Sequence, residues 1–120
     1  MSERVKWIDH KGEKILFADL SNTETAEEVK EVLGKVFEVA KNIPESTLQY
    51  LTNMDQAHVT AKVMPIYREE AAKVKPYIKK WSMFGLSKIN VMILKLLQKS
   101  LGLDAQPFTN QEEALEYLVS

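Results

Sequence analysis

The chain has 120 residues, of which 16 are basic and 17 acidic, and it contains no cysteine. A formal net charge of -1 gives no general field that attracts phosphate backbones, so nucleic acid is not an expected partner. Without cysteine there are no disulfides, thiol nucleophiles or thiolate metal ligands. The length predicts one domain, and the lack of an apolar leader or a long uninterrupted apolar run predicts a cytoplasmic protein with no integral membrane segment.

The first part of the chain predicts a β-hairpin followed by a helix. Val5–His10 and Lys14–Asp19 are apolar-rich runs separated by three turn residues, a spacing typical of a hairpin. Ser21 and Glu24 have the S-x-x-E spacing of a capping box, which predicts that a helix begins there. Apolar residues then recur every three or four positions up to a stop at Asn42–Pro44: Ala26, Val29, Leu33, Val36, Phe37 and Ala40.

The central part predicts a strand, a polar loop and a second helix. Thr47–Thr52 is the third strand candidate, and Asn53–Val59 is rich in residues typical of loops. Pro65 lies inside the next helical pattern, and proline is tolerated only in the first turn of a helix, so this helix should begin at Val63 or Met64. The side chains expected to face the sheet are Ile66, Tyr67, Ala71 and Val74.

The stretch from Tyr77 to Leu101 predicts a strand, a turn at Gly85 and a long apolar helix that ends at Gly102. Because its apolar residues cover more than half of a helical wheel, we expect the helix to be buried on more than one side. These residues are Leu86, Ile89, Val91, Met92, Ile93, Leu94, Leu96 and Leu97. Three lysines with helical spacing predict a narrow face toward water: Lys88, Lys95 and Lys99.

The last segment predicts a short strand at Gln106–Phe108 and an amphipathic helix. Thr109 and Glu112 again have capping-box spacing, and the buried face of the helix should contain Ala114, Leu115 and Leu118. The resulting order, ββαβαβαβα, predicts a single α/β domain with a mixed, mostly parallel sheet of about five strands and about four helices. In such folds, ligands bind beyond the carboxyl ends of the strands.

Candidate chemistry is sparse. The two histidines lie in separate segments, and Asp55 with His58 has no nucleophile motif beside it, so we expect neither a metal, a cofactor nor enzyme activity. Asp55 is expected to cap its loop. Gly85-Leu86-Ser87 opens a helix whose free N–H groups are either capped by Ser87 or available to an anion.

Two further features of the long strand and helix leave alternatives open. Lys79 and Lys80 lie in a strand expected to be nearly all apolar. Either they lie at its exposed entry, or one of them points into a hydrated pocket beside Trp81. The helix that follows has more apolar residues than one buried face needs. The remaining ones are covered by the C-terminal helix, by a second subunit or by an acyl chain.

The order of elements resembles the SpoIIAA-like branch of the STAS superfamily, often labelled STAS/SEC14-type. The resemblance includes the K-P-Y tripeptide at Lys75-Pro76-Tyr77, the turn at Gly85 and the closing sequence from Glu112 to Leu118. It implies a non-enzymatic regulatory module, found in bacteria and archaea, that binds partner proteins, a nucleotide or a hydrophobic ligand.

The same resemblance implies where a switch would lie. In the anti-sigma-factor antagonists of the family, a serine that follows an aspartate at the start of the helix after the third strand is phosphorylated. The corresponding segment here runs from Asp55 to Thr60 and has no Asp-Ser pair, so Thr60 is at best a displaced counterpart. The candidate switch loop therefore contains Asp55, His58 and Thr60.

Two hypotheses about function follow. In the first, the protein is an interaction module that forms a homodimer, and its strand-end loops and the remaining apolar face of the long helix bind protein. The candidate self-association residues are Val91, Met92 and Leu94. In the second, it is a carrier or sensor of a lipid-like or other apolar small molecule. The candidate ligand-binding residues are Trp81, Phe84, Gly85, Leu86 and Ser87.

Overall fold

Strands and helices alternate along residues 3–120, the part of the chain that a computed structural model describes. The strands are β1 (Val5–His10), β2 (Glu13–Asp19), β3 (Leu48–Asn53), β4 (Ile78–Phe84) and β5 (Ala105–Phe108). The helices are α1 (Ala26–Ala40), α2 (Met64–Val74), α3 (Lys88–Leu101) and α4 (Gln111–Val119), and a 3₁₀ turn at Lys75–Tyr77 joins α2 to β4. The predicted order ββαβαβαβα and the α/β class are confirmed.

The five strands form one mixed sheet in the order β1-β2-β3-β4-β5. β1 and β2 are antiparallel, whereas β2, β3, β4 and β5 are parallel neighbours. The hairpin between β1 and β2 turns at Lys11 and Gly12, whose φ angles of 52° and 79° are those of a type I′ turn. Each parallel connection contains a helix, which is what a crossover between parallel strands requires.

Helices cover the two faces of the sheet unequally. The larger cluster of buried apolar side chains joins the sheet to α1, α2 and α3 on one face. A smaller cluster joins the opposite face to α4 through Ala114, Leu115 and Leu118, as the sequence predicted. The sheet is therefore the middle layer, and the residues on it alternate between the two clusters.

Two helix caps differ from those predicted. The capping box of α1 is Thr25 with Glu28: Thr25 Oγ1 accepts from the Glu28 N–H at 3.2 Å, and the Glu28 carboxylate accepts from the Thr25 N–H at 3.1 Å. The predicted Ser21 instead donates to Asp19 Oδ1 at the end of β2. The cap of α4 is Asn110, one residue beyond the predicted Thr109, because the asparagine side chain accepts from the first turn equally well.

The start of α2 is as predicted. Val63 is the N-cap and Pro65 lies in the first turn, where the missing N–H removes no helical hydrogen bond. Thr60 is exposed, and its carbonyl accepts from the N–H groups of Val63 and Met64. Its backbone, not its hydroxyl, therefore forms the turn that leads into α2.

The expectation that α3 is buried on more than one side is wrong. Its buried residues are Asn90, Leu94 and Leu97. Ile89, Met92 and Leu96 are 69%, 67% and 68% exposed. α3 lies beside β5 at the end of the sheet and packs against it and α2, so it buries only one side. Its C-terminal end is as predicted, because Gly102 has the left-handed φ of 66° that ends a helix.

Candidate functional site

A cleft of about 430 Å³ opens at the carboxyl ends of β3 and β4. Two loops form it: the loop that leads from β3 to α2 contributes Gln56 and His58, and the loop from β4 to α3 contributes Gly85, Leu86 and Ser87. This is the edge of a parallel sheet where ligand sites concentrate. Three of the five predicted ligand-binding residues and one residue of the predicted switch loop therefore lie together.

Backbone hydrogen bonds fix the two loops to each other and to the loop before α1. The Met54 N–H donates to the Phe84 carbonyl at 2.9 Å. The Asn22 N–H donates to the Asp55 carbonyl at 3.0 Å, and the His58 N–H donates to the carbonyl of Thr23 at 3.0 Å. Because main-chain groups make these bonds, the exposed side chains of the loop are left available to a partner.

Among the described residues, the side chains of the switch loop are not joined to one another by hydrogen bonds. Asp55, His58 and Thr60 are all exposed. The loop is capped by Asn53, whose Oδ1 accepts from the Asp55 N–H at 2.9 Å, so the capping side chain is not the predicted one. No hydrogen bond in the described part of the chain orients His58 toward Asp55, and such an orienting bond is what a base needs.

The start of α3 is capped from within the chain. Ser87 Oγ accepts from the Asn90 N–H at 3.1 Å, which is the capping alternative that the sequence left open. Asn90 is buried, and its Nδ2 donates to the Ala57 carbonyl at 3.2 Å. Sequence reasoning missed Asn90, although a polar residue within so apolar a helix is the kind of position that holds a neighbouring loop.

Trp81 and Phe84 lie on opposite faces of the sheet and cannot line one pocket, so this part of the predicted ligand site is wrong. They are three residues apart in β4, and side chains an odd number apart in a strand point to opposite sides. Trp81 belongs to the cluster under α1, α2 and α3, whereas Phe84 packs against the cluster under α4.

Trp81 is held by a hydrogen bond and by an aromatic contact. Its Nε1–H donates to Thr52 Oγ1 at 2.9 Å, which satisfies the one polar group of a buried indole. Its ring lies 5.0 Å from that of Tyr50, centroid to centroid, at an interplanar angle of 31°. These contacts give Trp81 a role in the core.

A small cavity of about 40 Å³ lies beside Trp81, between the sheet and the three helices that cover it. Its wall is mostly apolar but includes Glu70 and the two phenols of Tyr50 and Tyr67. The Tyr67 hydroxyl is buried and has no hydrogen-bond partner among residues 3–120. A cavity of this volume holds water, which needs roughly 10–15 Å³, but is too small for an acyl chain.

The phenols beside the cavity are neutral at physiological pH. Burial raises the pKa of Tyr67 to about 12. Burial also raises the pKa of Tyr50, against an opposing hydrogen bond from Thr52. Desolvation disfavours the charged phenolate, so neither tyrosine can act as a base there.

Neither lysine of β4 lines this cavity. Lys79 is exposed near the start of the strand, as one of the two interpretations predicted. Lys80 reaches to the end of α4, where its Nζ donates to the Ser120 carbonyl at 2.7 Å and to the Tyr117 carbonyl at 3.2 Å. A cation at the C-terminal end of a helix complements the free carbonyl groups there, so Lys80 fastens α4 to the sheet.

The predicted self-association residues are not equally accessible. Met92 is exposed, Val91 is partly buried and Leu94 is only 5% exposed within the core, so Leu94 is a wrong prediction. Solvent instead meets a surface that we call the outer face of α3. It consists of Lys88, Ile89, Met92, Lys95, Leu96 and Lys99.

No model of a known protein family matches the chain. No curated protein matches it either.

Across residues 3–120, no three histidine, aspartate or glutamate side chains are placed to hold a metal ion. Over the same residues, every helix is too short or too polar to cross a membrane.

Proposed function

We propose that the protein is a non-enzymatic, STAS-like regulatory module of the cytoplasm that binds a partner protein at the strand-end cleft. The observation that carries this proposal is the way main-chain hydrogen bonds hold two loops around the cleft while Gln56 and His58 remain exposed. A preformed surface loses little conformational freedom on binding, which favours recognition.

Two further points support this function. The resemblance to SpoIIAA-like proteins implies that the loop after the third strand carries a switch, and residues of that loop line the cleft. Thr60 is exposed at the end of that loop, so a kinase can reach its hydroxyl. A phosphate at this position would add negative charge beside the cleft and change what the cleft binds.

A second copy of the chain was the partner that the sequence favoured for α3. A symmetric pairing of two α3 helices would bring lysines of both copies together, because Lys88, Lys95 and Lys99 share the outer face and α3 contains no acidic residue. Like charges at such an interface oppose association. We therefore place the protein partner at the cleft, and we leave self-association to be tested by sedimentation.

A photo-crosslinking experiment tests the cleft. Benzoylphenylalanine replaces His58 in one variant and Lys35, an exposed residue of α1, in a control variant. After irradiation in an extract of the native cells, we expect a discrete protein adduct at the His58 position that excess wild-type protein suppresses. Adducts that are absent, or identical at both positions, would contradict the proposal.

The apolar cavity beside Trp81 favours one second candidate, a carrier of a small apolar molecule. Because the cavity holds only water at its present size, this function requires α3 to move away from the sheet. Native mass spectrometry of freshly purified protein tests it. A retained mass that disappears on denaturation would support the carrier, whereas a ligand-free spectrum and no thermal stabilisation by fatty acids would contradict it.

A further inference from the structure

The outer face of α3 combines two features that the rest of the surface does not explain. Ile89, Met92 and Leu96 expose about two-thirds of their surface, at 69%, 67% and 68%. Their spacing places them on one side of the helix, so they form a continuous apolar strip and are not isolated exposed residues. Side chains exposed to this extent project from a convex surface and do not line a groove.

Lysines border this strip along its whole length. Lys88, Lys95 and Lys99 are exposed and lie within one turn of the apolar side chains, and Asp and Glu are absent from α3. Lys75 adds a further cation at the end of the helix, where its Nζ donates to the Leu101 carbonyl at 2.8 Å. The net charge of -1 for the whole chain therefore conceals a locally basic surface.

We propose that the outer face of α3 binds the surface of an anionic lipid membrane. Apolar side chains that project beside lysines are the arrangement by which a helix lies in a membrane interface: the apolar groups enter the boundary with the acyl chains, and the lysines contact anionic headgroups. The face is convex and uniformly basic, so it complements an extended anionic surface better than it complements a second copy of itself. This binding is separate from the cleft and does not depend on the function proposed for it.

Vesicle sedimentation with the full chain tests the proposal. Vesicles of phosphatidylcholine mixed with phosphatidylserine are compared with vesicles of phosphatidylcholine alone. We expect binding to the anionic vesicles, much weaker binding to the neutral ones, and loss of binding as salt shortens the screening length from about 10 Å at 0.1 M toward about 3 Å at 1 M.

Two sets of substitutions separate the apolar and basic contributions. Lys88→Gln, Lys95→Gln and Lys99→Gln together should weaken binding to anionic vesicles roughly a hundredfold. Ile89→Gln with Leu96→Gln should weaken it roughly tenfold or more. All five side chains are exposed, so the variants should fold, which circular dichroism verifies.

Matched controls remove the same chemistry elsewhere. Trp7→Gln removes an exposed apolar side chain from β1, and Lys30→Gln, Lys35→Gln and Lys41→Gln remove three exposed lysines from α1 and its C-cap. Both controls should bind like the wild type. The proposal is overturned if anionic vesicles bind no protein, or if the controls weaken binding as much as the α3 variants. It is equally overturned if the wild type sediments as a dimer that the Ile89 and Leu96 substitutions convert to a monomer.

Discussion

The backbone of Asp55 occupies the space that a side chain on Gly85 would fill. A Cβ atom placed on Gly85 would lie 2.7 Å from the Asp55 backbone nitrogen and 2.9 Å from its Cα. Gly85 also has a φ of 80°, in the left-handed region that residues with a Cβ rarely adopt. The two loops of the cleft can therefore approach each other only because this position has no side chain.

Gly85→Ala should strongly destabilise the protein. The left-handed conformation alone costs about 1–2 kcal/mol for a residue with a Cβ, and the contact with the Asp55 backbone must also be relieved. We expect urea unfolding to show a free energy of unfolding lower by at least about 2 kcal/mol. The His58 crosslink should weaken in parallel, because the loops separate.

Gly34→Ala is the matched substitution with the opposite sign. Gly34 lies within α1, and a Cβ placed there meets no atom within 4 Å among residues 3–120, apart from the nearby backbone of its own helix. Alanine should raise the free energy of unfolding by about 0.5–1 kcal/mol, because glycine is a poor helix former. If both Gly85→Ala and Gly34→Ala lower the free energy of unfolding, the room available for a Cβ atom does not determine whether alanine stabilises or destabilises the protein.

The strands and helices could be predicted because their apolar periods are distinct. Pro65 gave the start of α2 and Gly102 gave the end of α3, since the backbone chemistry of these residues permits few other positions. The cap of α1 was missed because Ser21/Glu24 and Thr25/Glu28 both match the capping box. Sequence spacing does not decide between them, and in the structure Ser21 is engaged by the neighbouring Asp19.

The functional surfaces were predicted less well, because a pattern of apolar residues shows that a helix face is apolar but does not show what packs against that face. The apolar side chains around α3 were expected to be buried on more than one side of the helix, yet nothing among residues 3–120 packs over Ile89, Met92 or Leu96. The separation of Trp81 from Phe84 could have been predicted, since their odd spacing in a strand already places them on opposite faces. The contact between Gly85 and Asp55 is long-range and has no sequence signature.

Thr52→Val should show how much the hydrogen bond between Trp81 and Thr52 contributes to the stability of the fold. Valine matches the shape of threonine but leaves the buried Nε1–H of Trp81 without an acceptor. We expect a loss of about 1–3 kcal/mol in the free energy of unfolding. Measuring it by fluorescence in a Trp7→Phe background isolates Trp81, because Trp7 is the 44% exposed tryptophan.

Tyr67→Phe is the control for that substitution. It removes a buried hydroxyl that has no partner in the described part of the chain, so the free energy of unfolding should stay within about 0.5 kcal/mol of wild type or rise. A loss as large as that of Thr52→Val would instead indicate that a water molecule in the cavity bonds the hydroxyl.

The attachment of α4 to the hairpin should depend on pH. Glu116 of α4 accepts from Lys11 Nζ at 2.5 Å and pairs with His10 Nε2 at 2.6 Å. Hydrogen bonds from Lys11 and then from His10 lower the pKa of Glu116 below its ordinary value of 4.5. Because the pKa is lower in the folded state, the ionised carboxylate stabilises the fold above the pKa of the unfolded chain, and this contribution is lost as the pH falls through the folded pKa.

Glu116→Gln should therefore lower the urea midpoint at neutral pH, where only the wild type carries the charge. The difference between the two proteins should shrink once the pH falls below 4.5 and disappear when Glu116 of the folded wild type is protonated. Glu45→Gln, at an exposed position in the loop before β3, is the control and should show a smaller difference. A Glu116 effect that persists unchanged into acid would mean that the side chain stabilises α4 through packing and not through its charge.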